Sequence, residues 1–102
     1  MKVISLTNQG GVENSVNFGT GLYSLVTTYN YQARCWTMDI LDGNGNLILA
    51  GIMLVPNVDL LYPYPAISAL IGSLVIFEYK ADDYQNPDQL GANVQLGWYP
   101  PI

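Results

Sequence analysis

Few side chains in this sequence are able to do chemistry. Eight carboxylates face only three bases, Lys2, Arg34 and Lys80, with one cysteine, Cys35, and no histidine. Two of the carboxylates, Asp39 in "CWTMDIL" and Asp59 in "VPNVDLLYPYP", sit in apolar surroundings. As a pair they would supply a general acid and base, provided their side chains converge within about 10 Å. The missing histidine removes the commonest general base and the usual metal ligand, and with them any Ser-His or Cys-His nucleophile. Failing convergence, Asp39 caps or tethers a neighbouring backbone segment. No catalytic residue is expected.

Metal and phosphate motifs fail on specific residues. "DGNGNLILAGIM" starts like a calcium loop with Asp42, Asn44 and Asn46, but Leu47 stands where the sharp turn needs glycine and Met53 where a bidentate glutamate belongs. It reads instead as a hairpin turn in which Gly43 and Gly45 tolerate positive φ. "GTGLYS" has Ser24 in place of a third fingerprint glycine. Asp82, Asp83 and Asp88 in "ADDYQNPD" could hold a weak cation, although a solvated acidic loop is the simpler expectation. No metal or cofactor is therefore expected. Cys35, being alone, cannot form an intrachain disulfide and reads as a small buried apolar residue. Arg34 has two readings: a surface residue whose stem covers the Trp36 face, or a bidentate partner for a carboxylate in this domain or across an interface.

The elements that would position these residues belong to an unusual composition. Charged residues make up 11% of the 102, against roughly 25% in an ordinary soluble domain, while 50% are hydrophobic. A small domain so poor in charge most simply covers part of its surface with other subunits. The net charge of -5 argues against nucleic-acid binding, which needs clustered bases. Eight tyrosines, two tryptophans and two phenylalanines suit both core and interface. The start, "MKVISLTNQGG", meets Thr7, Asn8 and Gln9 before an h-region forms, so no signal peptide is expected. The longest apolar runs, residues 47–56 and 66–77, fall short of the roughly 20 needed to span a bilayer. No membrane insertion is expected.

Glycines at short intervals, frequent β-branched and aromatic residues, and no sustained 3.6-residue period predict an all-β or nearly all-β chain. Strands are expected at residues 3–6, 15–18, 22–28, 31–41, 47–54, 73–80 and 94–98, with a helical turn at 67–72. This is a single domain over residues 1–102, an antiparallel barrel or sandwich of about six or seven short strands. Alternation in the fourth strand puts Trp36, Met38 and Ile40 on the core face, with Gln32 and Arg34. In "VPNVDLLYPYPAI", three prolines stiffen the chain. Val58, Leu60 and Leu61 are expected to point inward, Tyr62, Pro63 and Tyr64 outward, and Asp59 to accept hydrogen bonds from backbone or from Arg34.

One long succession, "YQARCWTMDILDGNGNLILAGIMLVPNVDLLYPYP", carries a specific pattern. Tyr31, Arg34 and Trp36 lead into "MDI" and a glycine-containing turn, Gly51 follows the return strand, and "VPNVDLLYPY" comes next; "GSLVIFEYK" and "NPDQLGANVQLGWYP" close the chain. In these features, over roughly residues 16–99, the chain resembles the small baseplate plug proteins of contractile-tailed bacteriophages, typified in a cyanophage. Asn57 stands where the family more often has glycine, a departure in the local turn. The resemblance implies a non-enzymatic virion component, made in the host cytoplasm and placed near the hub and spike at the end of the tail tube, which it would close or brace. Its partners would be hub, spike and tail-tube subunits and copies of itself. Tyr62, Pro63, Tyr64 and Arg34 are the expected interface residues, and Trp36, Asp39, Asp59, Gly45 and Gly51 the expected structural ones. The rival is a stand-alone binding module with an aromatic groove for a glycan or peptide.

Overall fold

A computed structural model describes residues 2–7, 11, 13–19 and 21–101. Residues 8–10 and 12 of the expected first loop, and Thr20 of the "GTGLYS" motif, lie outside that set. The described strands are β1 (Lys2–Ile4), β2 (Glu13–Asn17), β3 (Leu22–Asn30), β4 (Cys35–Leu41), β5 (Leu47–Met53), β6 (Ser73–Glu78) and β7 (Val94–Tyr99), with one helix, α1 (Pro65–Ile71), before β6. They form two antiparallel sheets, a meander β2-β3-β4-β5 and a three-stranded sheet β1-β7-β6. Among the described residues no ladder joins the two sheets, so of the two expected architectures this is the open sandwich and not a closed barrel.

The core follows from period-2 alternation. Tyr23, Leu25 and Thr27 of β3 and Trp36, Met38 and Ile40 of β4 turn inward, opposite Ile4, Leu74, Ile76, Val94 and Leu96 of the smaller sheet. Burying a Leu or Ile fully stabilises the fold by about 1.5–3 kcal/mol, so this single cluster dominates stability. The expected Trp36 face is the core face, and Cys35 is buried as well, where desolvation pushes its thiol pKa up.

The fourth strand starts later than its alternation suggests. Asn30 Oδ1 accepts the backbone N–H groups of Gln32 and Ala33, both at 3.0 Å, and this turns the chain before pairing resumes. Arg34 closes the turn at φ 56°. Gln32 and Arg34 are therefore exposed turn residues and not part of the Trp36 strand face.

The expected hairpin at "DGNGN" is present. Asp42 accepts the N–H groups of Asn44 and Asn46, each at 2.9 Å, and Gly45 takes φ 84°. Led by the Asn46 bond, these contacts hold the Asp42 carboxyl below its ordinary pKa.

Thr27 is the exception within the core. It is fully buried, and its Oγ1 has no hydrogen-bond partner among the described residues. An unpaired buried hydroxyl is destabilising, and valine has nearly the same shape. Thr27→Val should raise stability by about 1 kcal/mol in urea unfolding; a loss of stability would reveal a partner for the hydroxyl.

Candidate protein-protein interface

The segment from Pro56 to Tyr64 is attached to the smaller sheet by main chain first. Pro56 bridges Ile76 in parallel fashion, and the Leu60 N–H donates to the Leu74 carbonyl at 2.8 Å. Asp59 completes the attachment. Its Oδ1 accepts from the N–H of Leu61 at 3.1 Å and of Leu74 at 3.4 Å, and its Oδ2 accepts from the Ser73 hydroxyl at 3.0 Å. One carboxylate thus ties its own turn to the first two residues of β6. Of the two donors expected, backbone or Arg34, it is the backbone that bonds Asp59, joined by Ser73; Arg34 lies in the exposed turn before β4, and among the described residues no bond from it to Asp59 is present.

Two further turns carry the chain outward. Tyr62 N–H donates to the Asp59 carbonyl at 3.2 Å and Tyr64 N–H to the Leu61 carbonyl at 2.9 Å. Leu60 and Leu61 point into the core, whereas Tyr62 is 82% exposed and Pro63 and Tyr64 are also at the surface. Val58 corrects the expectation for this stretch: it is 48% exposed. The left-handed Asn57, at φ 68°, precedes it, a conformation asparagine tolerates better than most residues. α1 then begins with Pro65 at its first turn and ends at Gly72. With no side-chain cap, the helix relies on Ile71 in the core and on Trp98 Nε1–H donating to the Ile71 carbonyl at 2.6 Å.

Tyr62, Pro63 and Tyr64 form a ridge with a cleft on either side. The first cleft, about 670 Å³ and mostly apolar, lies between this ridge with Val58 and the Gly51, Ile52 and Met53 stretch of β5. The second, about 630 Å³, lies between Tyr62, one side of α1 from Pro65 to the following Gly72, and Tyr99, Pro100 and Pro101. Tyr62 and Asp59 line both.

Gly51 owes its place to a bulge. Met38 pairs with Ile52 and Ile40 with Leu49, so Ala50 and Gly51 together face Asp39. Gly51 sits at φ 70°, where a side chain would be strained, and its N–H donates to Asp39 Oδ1 at 2.9 Å. This is the backbone tether expected for Asp39.

Of the residues expected to matter, Gly51, Asp59, Tyr62, Pro63 and Tyr64 therefore come together around one cleft. Arg34, Trp36 and Gly45 line neither cleft. Trp36 is packed edge-on against Tyr29 at 5.7 Å, and the Tyr29 hydroxyl donates to the Gln85 carbonyl. Asp39 and Asp59 hold different backbone segments, and no described cavity is lined by both. In the acidic loop, Asp82, Asp83 and Asp88 form no metal-binding cluster among the described residues. The Met53 and Val58 walls of the first cleft were not singled out by the sequence, because only the fold brings β5 against the Asp59 turn.

Removing the Asp59 carboxylate leaves two backbone N–H groups and a hydroxyl without an acceptor. Asp59→Ala should lower unfolding free energy by about 2–3 kcal/mol in urea titration, and a change well under 1 kcal/mol would mean the segment is held by Leu60 and Leu61 alone.

Comparison with known protein families identifies a match. The model of the cyanophage baseplate Pam3 plug gp18 family matches residues 1–101, nearly the whole chain. No curated protein matches it.

Proposed function

Because this chain belongs to the cyanophage baseplate plug family, we propose that it is a non-enzymatic structural subunit of a contractile-tail baseplate, closing or bracing the region around the central hub and tube. The family gives the structural baseplate role and the location in the phage tail. The finer reading, contact with hub, spike and tube subunits and with copies of itself through the Tyr62-Pro63-Tyr64 ridge, is ours.

The observation that supports it is the ridge itself: aromatic side chains held outward on a base fixed by Asp59, between two open clefts. Tyrosine and proline at such a place offer large contact area while losing little conformational entropy on docking. The composition agrees. With few charges, a surface recognises its partner by shape and apolar contact, and the net charge of -5 disfavours DNA passing nearby as a ligand.

The same features weigh against a glycan- or peptide-binding module. A small-ligand site needs a few free polar groups to orient its occupant. In the first cleft the one carboxylate, Asp59, is already engaged by Leu61, Ser73 and Leu74.

Incorporation into particles tests the ridge. Tyr64→Ala should fold with an unchanged melting curve yet enter assembled tails at least about tenfold less well than the parent in a competition between the two, as expected for loss of an aromatic anchor. Equal incorporation would place the role of this segment inside the fold.

A further inference from the structure

The terminal strands of the two sheets, β1 and β2, flank a common groove. Among the described residues β1 pairs only with β7 and β2 only with β3, so each has one edge outside any ladder. The groove between them, about 380 Å³, is lined by β1 with the following Ser5 and by residues 14–17 of β2. This lining is consecutive along both chains. A groove over a sheet face would touch every second residue, since side chains alternate between faces. Contact with each residue in turn means that the backbone edges form the walls, and an edge presents a row of N–H and C=O groups. Asn14 belongs to one wall, and its Nδ2, a buried donor, has no acceptor among the described residues.

We propose that this groove receives an extended strand from a neighbouring baseplate subunit, hydrogen-bonded through its main chain to β1 on one side and to β2 on the other. The inserted strand would join the two sheets along the side where no ladder connects them. Strand addition of this kind takes affinity from backbone bonds and needs few charges, which suits this chain. Charge narrows the occupant further. Lys2 is the one charged residue in the lining, within a chain whose net charge is -5. The groove therefore matches a neutral strand, or one with a carboxylate at the Lys2 end, and not a basic one.

The occupant rests on the baseplate reading above, and the test separates the two. Amide hydrogen exchange is followed for the N–H groups of β1 and β2 that point away from β7 and β3, in the isolated protein at low and high concentration and in intact tails. Rapid exchange in the isolated protein, slowed at least about tenfold in the assembled tail, is the expected result. Slow exchange already in the dilute protein would overturn the proposal by showing the edges filled from within the chain. Slowing that tracks concentration of the isolated protein would overturn it in favour of a second copy. The protein present in tails with unchanged exchange would remove the strand while leaving the baseplate role intact; its absence from tails would overturn that role and the occupant together.

Discussion

The Asp59 carboxylate is the constraint on which the surface of this protein depends. Its three donors come from two places, the turn that follows it and the first residues of β6. A half-buried carboxylate needs such donors to offset lost hydration, and backbone N–H groups near it need an acceptor for the same reason. Each side therefore requires the other. The bonds that satisfy Asp59 also decide where residues 56–64 run, which edge of β6 they cover, and that the next residues must turn away from the core. Tyr62, Pro63 and Tyr64 project because the chain before them is held.

The same use of charge recurs elsewhere. Asp39 holds the Gly51 bulge, Asp42 the β4–β5 turn, and Glu78 accepts the Tyr84 N–H at 3.2 Å. These carboxylates organise backbone where strands bend or end. Neutral donors leave each carboxylate its charge, so these groups act as local acceptors while still contributing to the net charge of -5. What remains for the outer surface is neutral polarity and exposed apolar side chains, among them Leu22, Leu47, Met53, Val58 and Phe77. An apolar exterior on so small a chain fits a subunit whose neighbours cover it.

Much of this was readable before the fold was known, and the misses have physical causes. Strand pattern located the core face because Trp36, Met38 and Ile40 recur at the period that a half-buried strand imposes. "DGNGN" gave its turn away because asparagine, aspartate and glycine at that spacing can do little else. The start of β4 was missed because a side chain, Asn30, competes with the ladder for two backbone donors, which hydrophobic alternation cannot register. Val58 was missed because a left-handed Asn57 resets which way the next residue faces. The bulge at Gly51 was visible only as a glycine, and its pairing with Asp39 needed the register. Least legible were the two clefts and the β1–β2 groove. Each lies between segments whose proximity is set by the packing of two sheets, and no local pattern encodes it.

A subunit that recognises neighbours with few charges gives up electrostatic steering, so its association is expected to run nearer about 10⁵–10⁶ M⁻¹s⁻¹ than the faster limit reached by strongly complementary charged pairs. Slow encounter matters little within an assembly, where partners already docked hold the next surface at high effective concentration. Orientation then becomes the limiting demand. A ridge preset by prolines and a bonded carboxylate meets that demand, since little is left to order on docking. On the proposed reading, the scarcity of charge and the stiffness of the exposed segment serve one end, docking by shape with little left to order.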